Sequence, residues 1–498
     1  MFRAISDTIP KDRDFAERVY AHEIRKRLLD GTFYDLLTIE FHDEVQRGGE
    51  FIPLRKRAPS VRYNMCRTLT NDSVSFTLGE GRFPSIVSSD PITRDAMKDI
   101  INNCLLQQVM IEAATIGSIG SVAVLMRVLK NDAGENKIYF EVLPTQYLTP
   151  TYDPNAPDTL LKVTQKFKVN GIDLIDLGYD IPEDNENSFY WYQRVFDRNA
   201  ETHFMPMLVS EQRDKNGNLK KMVEDESRNV KHNLGFVPVV WIKNLSGGSG
   251  VDGACTFEQA IHAQIEIEYQ LSQLGRALKY SGDPLLLINE AGGPDSQLSV
   301  DNSNTLIVGE NGDGKLIESN GKAFMAVVQY VRTIRELALE TCRGNRSSID
   351  KLSLPQSGIA LKVLWQPLIS LADDLRGTYG EGLKSLLKMV QRAQAKLGNL
   401  QVGDVKLPAL DTKQAISLRW PEFFDPSATD RQQQAASLAQ LVAAGLMSRD
   451  TAVETLSRSY DIDDVAAEIL LIEADQKRRE EADALAAVVA KKNIIPNE

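Results

Sequence analysis

Residues 256 to 343 hold two helical segments of matched length around a small β-rich insert, and no other stretch restricts the possible folds as much. Thr256 to Lys279 places Ile261, Ile265, Tyr269, Leu274 and Leu278 at mostly three- and four-residue intervals, the spacing that lines one face of an α-helix. Gly321 to Arg343 repeats the pattern with Phe324, Val327, Val328, Val331, Ile334 and Ala338. At 1.5 Å rise per residue each spans roughly 35 Å, so the two are expected to pair antiparallel. Between them, Ser281 to Asn320 is dense in Gly, Asp, Asn and Ser, and its apolar runs at Leu285–Ile288 and Thr305–Val308 read as strands of a compact cap. The expectation is a helical stalk with a β cap, inserted into a larger body.

With 498 residues, 42% hydrophobic, the chain has ample material for a core and for two to four structural regions. Its formal net charge of −12 gives no diffuse attraction to nucleic acid, which argues against a DNA coat or a sequence-specific binder. A protein that DNA passes through is compatible with that charge, because tight phosphate binding would hinder sliding. Cys66, Cys104, Cys255 and Cys342 lack CxxC spacing and are expected as small buried or half-buried thiols. No apolar run approaches the length of a membrane span. The first residues, MFRAISDTIPKDRDFAER, lack the apolar stretch of a signal peptide, so the protein is expected to fold in the cytosol.

Along the chain, residues 11 to 30 predict a charged amphipathic helix with Phe15, Val19, Ile24 and Leu28 near one face, stopped at Gly31. Arg55, Lys56, Arg57, Arg62 and Arg67 mark a basic stretch, read as a solvated loop edge leading into a strand, with a phosphate or acidic-partner patch as the alternative. Met110 to Val128 starts as a helix and ends as a strand, Gly117 and Gly120 allowing close packing. From Lys137 to Trp241, alternating apolar segments separated by DPN, NG and DKNGN predict antiparallel strands. Residues 1 to about 245 thus form a mixed α+β body, and Asn244 to Gly253 is expected as a flexible joint. Beyond the stalk, GNRSSIDKLSLPQ is an exposed segment. A helix from about Ser357 to Leu397 follows, with a kink at Pro367 and weakening at Gly377, Gly380 and Gly382. A short β pair (QVGDVKLP, AISLRW) comes next. Helices are then expected from Ser427, from Ser448, and over Asp463 to Lys492.

Chemical motifs are sparse. Gly309 to Lys315 (GENGDGK) has the wrong spacing for a phosphate loop, and lacks the first carboxylate and the terminal Glu of a calcium loop. It reads as a tight turn. His22, His42, His203, His232 and His262 are too dispersed for a metal set, and His262 is expected to pair with Glu258 and Glu266 on the helix surface. Glu266 and Glu268 lie on different helix flanks and cannot form a catalytic carboxylate pair. No catalytic residues, metal site or cofactor are assigned, and the chain reads as a non-enzyme. Asn345, Arg346, Ser347, Ser348 and Lys351 form the stretch best suited to meet a polyanion. Cys255 to Asn345 holds 12 Asp and Glu against 7 Lys and Arg, an acidic wall that would repel a DNA rod without gripping it.

The order of parts, with HNLGFVPVVWIKN (His232 to Asn244) before the stalk and SGIALKVLWQPLISLADDLR (Ser357 to Arg376) after it, resembles the portal proteins of tailed bacteriophages. The resemblance implies an α+β, portal-like fold: a mixed α/β wing (1–255 and 357–425), a two-helix stem (256–280 and 321–343), a small β-rich clip (281–320), a tunnel loop (344–356), a long kinked helix with Pro367 as its hinge, and a helical C-terminal crown (426–498). It implies a homo-oligomeric ring, commonly a dodecamer, at one capsid vertex around a channel for double-stranded DNA packaging and ejection. The tunnel-loop residues Asn345, Arg346, Ser347, Ser348 and Lys351 would face the DNA. Ile261, Ile265, Leu274, Phe324, Val331 and Ile334 would pack the stem against neighbouring copies. Implied partners are the terminase large subunit, a head-completion or adaptor protein, and the major capsid and scaffolding proteins, with no membrane. The implied location is the virion, and the host cytoplasm during assembly. Two other readings stay open: a nucleic-acid-processing enzyme with a dispersed active site, and a head–tail connector ring without a portal role.

Overall fold

Periodicity of two and of 3.6 divides the computed structural model much as it divides the sequence. The structure describes residues 1–46, 48–130, 134–212, 220–281, 285–289, 305–308, 316–317, 322–344, 358–424, 428–457, 460 and 465–492. In chain order the body begins with α1 (Phe2–Ser6), α2 (Glu17–Asp30), α3 (Met65–Leu78), β1 (Ser85–Val87), α4 (Pro91–Asn103), α5 (Leu106–Gly117), β2 (Ser121–Lys130) and β3 (Asn136–Pro144). It continues through β4 (Leu148–Asp153), β5 (Ala156–Asn170), α6 (Gly171–Asp176), β6 (Phe189–Phe196), β7 (Ala200–His203), β8 (Met207–Leu208), β9 (Val230–Lys231) and β10 (Val239–Lys243). The stalk and cap are α7 (Ile261–Ser281), β11 (Leu285–Asn289), β12 (Thr305–Val308), β13 (Leu316–Ile317) and α8 (Lys322–Thr341). Then come α9 (Gly358–Leu397), β14 (Leu400–Val402), β15 (Val405–Lys406) and β16 (Ser417–Arg419). The chain is α+β and splits into two compact units, Met1–Arg419 and Trp420–Glu498.

Two sheets build the body. One runs β10-β2-β3-β14-β15 and the other β4-β5-β6-β7-β9, with β8 on the flank of β6. Residues 121–126 of β2 are buried on both faces, which explains their unbroken apolar run. Ala123 and Leu125 meet Leu148, Val163 and Phe196 of the second sheet, while α5 covers the opposite face. Glu201 ties the sheets together through Arg127 at 3.1 Å and Arg194 at 3.4 Å. Gly117 is required here, since a Cβ would collide with the Tyr379 hydroxyl.

Several local expectations hold. Gly31 ends α2 in the left-handed region at φ 77°, and Gly445 at φ 68° ends α10 (Ala428–Ala443) in the second unit. Ser448 opens α11 (Arg449–Ser457) by accepting the Thr451 N–H, and α12 spans Val465–Lys492. Ser427 and the Gly309 to Lys315 turn lie outside the described residues. Cys66, Cys255 and Cys342 are buried and Cys104 is half-buried, all as free thiols.

Others are corrected by long-range contacts. The basic stretch leads into helix α3, not a strand, because the Asn64 side chain accepts the Arg67 N–H and caps it. Arg57 is buried there, donating to the Phe41 carbonyl at 2.8 Å. The expected C-terminal β pair does not pair with itself. β14 forms a hairpin with β15, whereas β16 pairs with β1, more than three hundred residues earlier. α9 runs from Gly358 to Leu397 as one element with Pro367 inside. Gly382 serves contact, not weakness: a Cβ there would sit 2.5 Å from Ile242. A third cap strand, β13, joins β11 antiparallel while β12 lies parallel to it.

The joint at Asn244 to Gly253 is held at both ends. The Asn244 side chain donates to the Ala254 carbonyl and to Thr256 Oγ1, each at 2.8 Å, and accepts from the Tyr379 hydroxyl. Gly253 donates to the Gly120 carbonyl at 2.9 Å, and its missing side chain is essential, since a Cβ would lie 2.7 Å from Asn244 N and Leu245 O. Gly253→Ala is therefore expected to lower stability by about 2–4 kcal/mol. Gly377→Ala, exposed in α9 with open space around it, should be neutral or stabilising by up to about 1 kcal/mol. Thermal unfolding of both variants checks the contrast.

Candidate functional site at the root of the helical hairpin

The hairpin α7–α8 is antiparallel: the two helices pack on one another, and α8 also packs on residues 258–260, just before α7. Its root is buried in the subunit. Ile261, Ile265, Ile267, Tyr269, Ala338 and Leu339 form one core with Leu28, Phe33 and Phe41 of the N-terminal arm. This corrects the expectation that the stripes lack partners within the chain. Ile261 and Ile265, expected at the contact between copies, are covered by the arm within the subunit. Val331 and Ile334 are half-buried against the same core, and Leu274 and Phe324 are half-buried. Leu278, Met325, Tyr330 and Leu337 remain exposed, Met325 at 70% and Leu337 at 57%. On α8 these exposed side chains flank the buried face, Met325 on one side and Tyr330 and Leu337 on the other.

Beside the buried stripe runs a polar one that periodicity of apolar residues did not reveal. Gln264, Glu268, Ser272 and Arg276 recur every four residues on α7 and meet the arm one by one. Gln264 Oε1 accepts the Cys66 N–H at 2.9 Å, Glu268 Oε1 the Tyr63 N–H at 2.9 Å, and Ser272 Oγ the Val61 N–H at 3.0 Å. Arg276 donates to Glu44 at 2.7 Å. The Tyr34 hydroxyl donates to Glu268, and the Tyr269 hydroxyl to the Arg57 carbonyl. Extended residues 61–63 have no sheet to satisfy their N–H groups, so a helix face does it instead. Glu268 is 1% exposed; burial pushes its carboxyl up to about 7, against the lowering effect of the bonds from Tyr34 and Tyr63. Burial likewise pushes up the Cys255 thiol to about 12.

A second hub locks the hairpin to the sheets. Asp252 receives Arg18 Nη2 at 2.8 Å, His22 Nε2 at 3.3 Å and the Ser121 hydroxyl. Burial opposes its ionisation, but these bonds outweigh it and hold the carboxyl well below the ordinary range. His262 departs from expectation: its ring meets Phe2 edge-on at 5.0 Å, while Glu258 pairs with Arg25.

Where the chain leaves α8, Arg343 sits in the left-handed region at φ 56° and pairs with Asp374 of α9 at 2.7 Å. Gly344 packs so tightly on Leu69 that a Cβ would overlap it. Asn345, Arg346, Ser347, Ser348 and Lys351 lie outside the described residues. On the far side, Trp365 stacks on Phe76 at 5.7 Å, whose ring also carries the Arg82 guanidinium at 4.2 Å. Pro367 follows, and Leu368, Leu371 and Leu375 are buried. Among the described residues, no three metal-ligating side chains converge.

Glu268→Leu should cost about 2–5 kcal/mol, since two buried donors lose their acceptor. Because burial raises the Glu268 pKa in the folded state, the native protein binds more protons than the unfolded chain between about pH 4.5 and 7. Stability should fall as pH rises through that window. Glu268→Gln should flatten this part of the dependence, read as Tm against pH.

A family model described as phage portal protein, SPP1 Gp6-like, matches residues 16–482. No curated protein matches the chain.

Proposed function

The chain belongs to the phage portal protein family, a structural family of the phage capsid, and from that premise we propose that it forms a closed ring of about twelve subunits at one capsid vertex. Double-stranded DNA passes through the ring during packaging and ejection without sequence-specific recognition. The ring docks the terminase large subunit, a head-completion or adaptor protein, and the major capsid and scaffolding proteins; it is assembled in the host cytoplasm and remains in the virion. Wing, stem, clip, tunnel loop and crown take the boundaries given above, and no catalytic residue or cofactor is assigned.

The observation that carries this reading is the set of apolar side chains that the hairpin leaves exposed on two flanks. Leu278, Met325, Tyr330 and Leu337 are exposed on a subunit whose own core is already complete. A copy related by rotation would cover them through a heterologous contact, and such contacts close into rings. Leu274, Phe324, Val331 and Ile334, half-buried in the subunit, would complete the seam. The acidic balance of the hairpin and cap suits a conduit through which DNA slides.

Met325→Asp combined with Leu337→Asp places two charges in that seam. The variant is expected to lose the high-mass species in native mass measurement, at least tenfold at equal concentration, while its circular dichroism is unchanged. Retention of full assembly would show that these side chains serve another purpose. In the loop, Arg346→Ala with Lys351→Ala should alter packaged DNA length or DNA retention while rings still form. Normal packaging and retention would remove the loop from the DNA path.

A further inference from the structure

Alternation along β5 and β6 gives the second sheet two different faces. Leu148, Val163 and Phe196 turn one of them toward the first sheet. Lys166, Lys168 and Trp191 rise from the other, with Lys168 opposite Trp191 in the register. The N-terminal arm crosses this second face just before α2. Phe15 sets its ring 5.3 Å from both Tyr147 and Trp191, and Lys168 Nζ donates to Asp12 at 2.6 Å and to Asp14 at 2.7 Å. Lys168 is fully paired. Lys166, two residues along the strand, is not: its ammonium lies 4.6 Å over the Trp191 ring and makes no ion pair or hydrogen bond among the described residues.

Lys166 lines a cavity of 360 Å³ beside Phe15, within the size range of small-ligand sites. Phe15, Val19, Pro150, Trp191 and Val251 supply its apolar walls. The other charged side chains that line it are committed, Arg18 to Asp252 at 2.8 Å and Asp14 to Lys168. Burial pulls the Lys166 pKa below the ordinary lysine value, against a smaller raising effect of Asp14, as expected of a cation short of a counter-ion. The Trp191 N–H is likewise buried without an acceptor. Around this cavity, donors exceed acceptors.

We propose that the cavity binds a carboxylate carried on an aromatic or aliphatic group, the carboxylate pairing with Lys166 and the apolar group packing on Phe15, Val19 and Val251. One uncommitted cation, with Asp14 on the same cavity, suits a single negative charge; a phosphate monoester carries nearly two and would meet the repulsion of Asp14. The arm itself shows the pairing, since Asp14 and Phe15 present a carboxylate and a ring to the neighbouring lysine and to Trp191. Such a carboxylate arrives either on a free small acid or on an acidic side chain beside an aromatic one in a partner segment. The cavity is remote in sequence from the hairpin and the loop, so its test is independent of the DNA-conduit reading.

The test titrates the full-length protein at neutral pH, read by the NMR signals of the ligands. The probes are phenylacetate, its uncharged amide, acetate, phenyl phosphate, and the capped dipeptide acetyl-aspartyl-phenylalaninamide. Phenylacetate or the dipeptide is expected to bind at least tenfold tighter than the amide, acetate and phenyl phosphate, and the tighter of the two identifies the source as a free acid or a partner segment. Lys166→Met should weaken that binding at least tenfold, whereas Lys166→Arg should keep it within about threefold. Melting monitors the fold; should Lys166→Met unfold, Lys166→Gln carries the test. Failure of both acids to bind, equal binding of the amide, or unchanged binding by the Lys166 variants that remove the charge overturns the proposal. Equal or tighter binding of phenyl phosphate overturns the choice of a carboxylate.

Discussion

Four side chains at four-residue spacing on α7 hold the N-terminal arm to the hairpin. Gln264, Glu268 and Ser272 accept the N–H groups of residues 66, 63 and 61, and Arg276 donates to Glu44. Once the arm is seated, Phe33, Phe41 and Met65 close over Ile261, Ile265 and Tyr269. The apolar core and the polar stripe therefore depend on one another. Without the stripe, the buried Cys66 N–H would be unsatisfied, at about 1–3 kcal/mol, and the part-buried N–H groups of Val61 and Tyr63 would lose their acceptors.

That arrangement determines what the hairpin offers to its surroundings. The arm consumes one face, so the apolar side chains left exposed on α8, Met325, Tyr330 and Leu337, are what the hairpin offers a neighbour. The Asp252 hub and the Asn244 bonds fix the angle at which the hairpin leaves the sheets. A rigid root is what a ring of identical subunits needs, since a small angular error in each copy would prevent closure. The Arg343–Asp374 pair and the Trp365–Phe76 stack follow the same logic.

Ser246 to Gly250 is exposed between the fixed ends of the joint, with Gly247 and Gly250 in the left-handed region at φ 91° and 64°. Glu268 adds a chemical sensitivity, because its burial couples the seating of the arm to proton uptake near neutrality.

By itself the sequence determined the elements whose signal is local. The 3.6-residue stripes marked α7 and α8, alternation marked β3, β5, β6 and β10, and Gly31, Ser448 and Gly445 marked helix ends. The order of parts was enough to indicate the family. Only the tertiary structure decided which side of the hairpin is used up within the subunit, because Ile261 and Leu337 look equally apolar until the arm covers one of them. It also decided that β16 pairs with β1, that Arg57 is buried, and that Glu268 and Asp252 are hubs. Each of those depends on partners two hundred or more residues away, or on a fold back across the surface, and hydrophobic periodicity carries no information about what a polar side chain will meet.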